Sequence, residues 1–398
     1  MTRQRRAKKP DRGAYGYVPG TPDALLTQVG PGTPCGEFMR RYWQPVLASA
    51  HVTSRPQEFR ILGEDLIIFR DRQGRPGLLY PRCMHRGTNL FWGHVEDEGI
   101  RFCYQGWLFD VEVHCLEQPC EPDKGRNRKA ARQPWYPVQE RYGLIWTYMG
   151  PPDKLPVLPR WDVLDHLQPG EKYWVNDASF GSHRDTTMPV VPYSWLHMND
   201  NIMDPFHVQV LHSTFSVHQF AHEFEVMPTV DFEYIDGGMI YKAYRKLDDG
   251  RNLERVSTAL LPNLMSVPNV ELDGGRSTGM GFVVPVDDSH CRIVGTFRLR
   301  AGEENMLREP VRFNGKRWSE MSIGERQDIP GDYEAQAGQG PVSLHSEEHL
   351  ASSDRGVIML RKLLRQQIKI VQKGGDPAGV IFDPDRELVK IPSGNFYR

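Results

Sequence analysis

Asn201-Ile202-Met203-Asp204-Pro205-Phe206-His207-Val208-Gln209-Val210-Leu211-His212 gathers two imidazoles, a carboxylate and a carboxamide in one short stretch. Its apolar spacing predicts a helix over about 196–212. His207 and His212 are five residues apart, so an ideal helix would point them about 140° from each other. Pro205 offers a cause of distortion, since it removes one helical hydrogen bond and bends the chain. Asp204, three residues before His207, lies on nearly the same helix face. With the backbone bent, the set could serve one metal ion. Undistorted, it is a helix that happens to carry His197, His207 and His212.

Downstream of this helix the texture turns to strands. The runs 229–234, 239–244, 281–285 and 291–299 are apolar and β-branched and end in turn residues. Helices packed on a sheet follow, an α+β arrangement. A second helix is expected over about 346–372, with Val357, Ile358, Leu360, Leu363, Leu364 and Ile368 as its stripe and Gly374-Gly375 as its stop. Residues 301–342, rich in Gly, Glu and Arg, read as a long loop. Upstream, 57–150 carries short strand-like runs broken by Gly and Asp, a small antiparallel β domain whose last strand is expected near 143–148. Residues 22–49 read as helical around Phe38, Met39, Tyr42 and Trp43, and the Pro-rich stretch 151–159 as a linker.

The 398 residues exceed one ordinary core, which favours two domains. A formal net charge of −2 gives no argument for nucleic-acid or membrane binding. The basic run over the first dozen residues reads as a solvated tail. No stretch of 18 apolar residues occurs, so a cytoplasmic location is the default expectation. Four of the six cysteines (Cys83, Cys103, Cys115 and Cys120) fall between positions 83 and 120, a clustering that favours metal chemistry over disulfides.

Cys83-Met84-His85 sets a thiolate and an imidazole two residues apart. A Rieske [2Fe–2S] centre needs two Cys on one iron and two His on the other, and this loop supplies one of each. The motifs Cys83-Met84-His85-Arg86-Gly87, Tyr104-Gln105-Gly106-Trp107-Leu108-Phe109-Asp110, Gly30-Pro31-Gly32-Thr33-Pro34 and Tyr42-Trp43-Gln44-Pro45, together with 201–212, resemble the Rieske non-heme iron aromatic ring-hydroxylating oxygenases, in particular the phthalate dioxygenase-like branch. The likeness runs from about 22 to 372.

The disordered basic tail takes 1–21, and the resemblance implies a Rieske-like [2Fe–2S] domain with an N-terminal helix (22–155) and a larger helix-on-antiparallel-sheet catalytic domain (156–398) with a mononuclear non-heme iron. It implies His207, His212 and Asp354 as iron ligands, Asn201 beside them, and Asp204 as the bridge to a neighbouring subunit's cluster histidine. The alternative for Asp354 is a helix-start residue complementing the dipole. The resemblance also implies O2, electrons from a separate reductase or ferredoxin, a homotrimer, and an aromatic substrate that is hydroxylated or O-demethylated. Arg255 is a candidate partner for a substrate carboxylate.

One departure stands out. In the second cluster loop the family has Cys-x-Tyr-His-Gly-Trp, whereas here Phe102 holds the cysteine position and Gln105 the histidine position. Cys103 stands one residue late and could reach a cluster only if the loop slipped by roughly 3.5 Å. Val113 replaces a glycine usual in the turn that follows. The second reading is therefore a fold-retaining, cluster-deficient relative acting in assembly or binding.

Overall fold

The computed structural model describes residues 14–126, 128–179, 190–303, 311–313 and 315–398. The larger part is built on a nine-stranded sheet in which the strands run Glu171–Asn176, His290–Arg300, Gly279–Asp287, Leu264–Ser266, Asn252–Leu260, Gly238–Lys246 and Thr229–Ile235. Gly394–Tyr397 and Gly275–Arg276 pair onto its side. Every pairing in it is antiparallel. The four expected runs are strands within it, and 252–260 adds another.

Helix Arg355–Gln372 packs Val357, Leu360, Leu364 and Ile368 inward. Near its start is Gly356, where an added Cβ would meet the Met203 carbonyl oxygen at 2.1 Å. Only glycine lets this helix seat that closely on the segment carrying the histidines. The helix is shorter than expected at its N-terminal side, where 345–347 and 352–354 form single 3-10 turns.

The smaller part holds two four-stranded antiparallel sheets. One joins Gln57–Ile61, Glu64–Arg70, Pro76–Leu79 and Trp135–Tyr136. The other joins His94–Glu96, Gly99–Arg101, Leu108–Phe109 and Cys115–Glu117. A three-stranded sheet of Trp43–Ala48, Leu144–Tyr148 and Val138–Arg141 links it to the rest.

Several expectations need correction. The stretch 22–49 is two short helices, Ala24–Thr27 and Pro34–Met39, and then a strand from Trp43. Arg40 ends the second helix, and Trp43 pairs with Tyr148 across the sheet instead. These helices bury Leu26, Phe38 and Met39 in the same core as Leu360, Leu364 and Ile368. They are thus part of the larger hydrophobic unit although they precede the β domain in sequence. Of the tail, 1–13 lies outside the described residues, while Thr21 is tied to Ser346 through two hydrogen bonds of 2.7 and 3.1 Å. The 301–342 stretch contains helices Ile323–Asp328 and Asp332–Ala337, the first started by a Ser322–Glu325 capping box.

His197, 5% exposed, sits on helix Trp195–Ile202 with Nδ1 on the Ser194 carbonyl and Nε2 on Ser343 Oγ. Burial lowers its pKa from 6.5 to about 4. The unfolded chain takes up a proton near pH 6.5 that the folded chain refuses until about pH 4, so this contribution is present above pH 6.5 and is lost as the pH falls through that window. The loss is about 3 kcal/mol at most. Urea unfolding at pH 7 and pH 4.5 should show a steeper acid loss for the parent than for His197→Gln. Equal slopes would refute it.

Candidate metal centre

The segment after Asp204 does not continue the preceding helix. Helix Trp195–Ile202 ends, a turn follows, and His207–Gln209 leads into a π-helical turn, Val210–Thr214. The Phe215 amide donates to the Val210 carbonyl, an i→i+5 bond. That wide turn brings residues five apart onto one side, the geometry an α-helix denies them. The distortion therefore arises after the histidine pair has begun, not at Pro205, which lies in the turn before it. The rings of His207 and His212 stand 5.4 Å apart between centroids.

The carboxylate brought to them is Asp332, not Asp354. Donor atoms of His207, His212 and Asp332 all lie within 4.8 Å of one another. His212 Nε2 is 3.3 Å from Asp332 Oδ2, and His207 Nε2 is 3.6 Å from Oδ1. Asn201 Nδ2 donates to Asp332 Oδ1 at 3.0 Å and lies 3.3 Å from His207 Nε2. Burial pushes the Asp332 pKa up, but His212, His207 and Asn201 outweigh it and hold the carboxyl well below the usual range. Asp354 instead accepts from the Ala351 amide at 2.6 Å, closing the turn before helix Arg355–Gln372. This is the helix-start role, and among the described residues Asp354 shares no metal-sized cluster with the histidines. Asp332 opens helix Asp332–Ala337 directly after Pro330-Gly331. The one sequence signal was Gly331-Asp332-Tyr333-Glu334, a helix start with an acid at N3.

Each imidazole is oriented through its other nitrogen. His207 Nδ1 donates to the Asp204 carbonyl, and the Asp204 carboxylate accepts from the Phe206 and His207 amides at 3.0 and 3.3 Å. His212, 2% exposed, has Nδ1 at 3.2 Å from Gln219 Oε1. Gln219 Nε2 donates to the Leu211 and Pro330 carbonyls, which fixes its oxygen toward the ring. One amide thus sets the tautomer of His212 and ties the histidine segment to the loop before Asp332. His212 Nε2 is left buried with no hydrogen-bond partner among the described residues. Such outer contacts tune metal affinity, so Gln219→Leu should weaken metal binding about 10–100-fold, read by competition with a chelator. Unchanged affinity would refute the role.

In the β domain, loops 83–88 and 102–107 are each closed by a backbone bond, Cys83 amide to Thr88 carbonyl and Phe102 amide to Trp107 carbonyl. Cys83 is buried, which raises its pKa to about 11. His85 stacks on Trp107 at 4.6 Å, with Phe102 at 5.8 Å. Phe102 is 1% exposed and packs in one cluster with Cys83, Cys115 and Val113, while Cys103 points to solvent. Gln105 is half-buried, its carbonyl 3.7 Å from Cys120 Sγ. Val113 holds φ 68°, the left-handed conformation that glycine adopts without cost. Arg255 is 4% exposed and committed: it donates to the Asn269 and Pro268 carbonyls and to Asn395 Oδ1, and covers the Phe224 ring. It is not a free guanidinium awaiting a substrate.

Residues 42–137 match the Rieske [2Fe–2S] domain model. Over 96% of its length the chain is 58% identical to the phenoxybenzoate dioxygenase subunit alpha of Ectopseudomonas oleovorans, covering 94% of that protein. The chain belongs to the Rieske non-heme iron oxygenases. A second relative, the tert-butanol monooxygenase / tert-amyl alcohol desaturase oxygenase subunit of Aquincola tertiaricarbonis, is 37% identical over 86% of this chain and 76% of its own. Among solved structures, Pseudomonas putida CBB5 NdmA (a QL mutant with caffeine) superposes with a TM-score of 0.62 at 18% identity, over 88% of this chain and 99% of the other. That likeness bears on the fold alone. The oxygenase is an enzyme of the kind that uses a Rieske cluster and a mononuclear iron. No helix among the described residues is long and apolar enough to cross a membrane.

The residues of this oxygenase fit the two groups unequally. His207, His212 and Asp332 fit a mononuclear metal, with the unpartnered Nε2 of His212 aimed at its place. Cys83 and His85 fit half of a Rieske centre, and His85 Nδ1 is buried without a partner among the described residues. The second loop does not fit, because a phenyl ring and a carboxamide stand at the other two ligand positions.

Proposed function

We propose that His207, His212 and Asp332 hold the mononuclear iron, with Asn201 positioning Asp332, and that the oxygenase inserts oxygen into a carboxylated aryl ether of the phenoxybenzoate class. The observation that carries this is the convergence of two imidazoles and one carboxylate, whose donor atoms lie within 4.8 Å of one another. A three-ligand set leaves positions open, and the iron, when bound, supplies activation of O2 there. The chain's own part is orientation: Asp204 and Gln219 fix the two rings, and the Asn201 amide donates to Asp332. The 58% identity over nearly the full chain favours phenoxybenzoate over the other relatives' substrates.

Electrons come from a separate reductase or ferredoxin, and the subunits form a homotrimer in the cytoplasm. In that assembly Asp204 Oδ2 accepts from a neighbouring subunit, with the Gln105 carboxamide as donor. The test is turnover of phenoxybenzoate isomers by the purified oxygenase with NADH, a matched reductase and O2, followed by product chromatography. Oxygenated phenoxybenzoate is expected. Turnover of tert-butanol or a methoxyarene with none of phenoxybenzoate would overturn the substrate class.

A further inference from the structure

We propose that His218, His222 and Glu225 form a second metal site, for a divalent cation of the zinc class, on the outer side of the segment that follows the iron histidines. Their donor atoms all lie within 4.8 Å of one another. His218 Nε2 is 2.8 Å from Glu225 Oε1, and His222 Nδ1 is 3.2 Å from Oε2. Ligands about 2.0–2.1 Å from a tetrahedral zinc sit about 3.3 Å apart, so a small outward shift of the carboxylate admits the ion. Two neutral imidazoles and one carboxylate select zinc, copper or nickel over magnesium or calcium, which prefer all-oxygen shells. The remaining position opens to water, since the three side chains are 39%, 75% and 42% exposed.

The arrangement is fixed from beneath. His222 and Glu225 begin and end one 3-10 turn, the repeat that sets residues i and i+3 above each other. Between them Phe224 is 1% exposed, covered by the guanidiniums of Arg245 and Arg255. The Ala221 amide is bonded to the Val270 carbonyl, Gln209 Nε2 to the Glu225 carbonyl, and Arg245 Nε to the Val226 carbonyl. Exposed imidazole–carboxylate contacts alone stabilise little. Here the three donors already stand together and the backbone beneath His222 and Glu225 is held, so less ordering entropy opposes binding. His218 also precedes Gln219, the residue that orients His212 and grips Pro330.

The experiment equilibrates the full-length, iron-loaded oxygenase with zinc chloride, dialyses it, and counts zinc and iron in one sample. One zinc per chain is expected with iron retained, together with a higher thermal midpoint. His218→Ala with His222→Ala should lose the zinc and the midpoint rise while keeping its iron, and Glu225→Gln should bind at least tenfold more weakly. Cobalt in place of zinc should give the visible absorption of a four-coordinate ion in the parent only. Equal zinc in parent and double variant, no zinc in either, or zinc gained only as iron is lost would each overturn the proposal. Failure there leaves the His207, His212 and Asp332 site untouched, because iron is counted separately.

Discussion

Asp332→Ala will strip the mononuclear iron, lowering iron affinity and turnover by at least about 100-fold, the upper end of what loss of an outer-shell partner alone costs. Asp354→Asn will keep both. Asp332 supplies the only carboxylate grouped with His207 and His212 among the described residues, and its removal also frees Asn201 Nδ2 from its acceptor. Two imidazoles alone leave a divalent ion without the anionic ligand that offsets its charge. Asp354 acts locally instead. Its carboxylate accepts from the Ala351 amide, and its loss costs about 1 kcal/mol as a cap. Metal analysis of both purified variants decides the matter. Iron retained by Asp332→Ala and lost by Asp354→Asn would reverse the assignment.

Phe102→Cys combined with Gln105→His will raise acid-labile sulfide to about two per chain and give the electron-spin signal of a Rieske centre. The backbone for it is already in place. Loop 102–107 is closed by the Phe102–Trp107 bond, Gly106 takes φ 71°, and His85 Nδ1 waits buried and unpartnered, its ring 5.8 Å from that of Phe102. The exchange removes a fully buried ring from the small core around Ile100, Val95 and Val113. Without a cluster that deletion costs about 3 kcal/mol or more. The cluster-free variant should therefore melt lower than the parent, and reconstitution with iron and sulfide should recover the difference. Sulfide content no higher than the parent's would mean that the loop, beyond its ligands, no longer accepts the centre.

The two-part α+β architecture, the strand runs and the terminal helix were legible because their periodicities are local: alternation over 229–235 and a 3.6-residue stripe over 355–372 need no knowledge of distant partners. The pairing of His207 with His212 was legible as well, but its cause was not. Pro205 is visible in sequence, whereas a π turn over 210–214 is a response to packing and leaves no compositional trace. Arg255 was misread for a related reason, since its strand was legible but its acceptors come from the loop carrying Pro268 and Asn269 and from the C-terminal strand carrying Asn395.

By itself, then, the sequence determined that two histidines belong together, and that Phe102 and Gln105 cannot replace a thiolate and an imidazole. Only the tertiary structure decided which acid joins the histidines. Asp332 and Asp354 both stand at helix starts and look alike as local sequence. The Gln219 amide binds His212 with one atom and the Pro330 carbonyl with another, and so ties the loop of Asp332 to the site. A ligand set spanning more than a hundred residues is a property of chain packing, because short-range propensity acts over only a few residues while the metal reads distances in space.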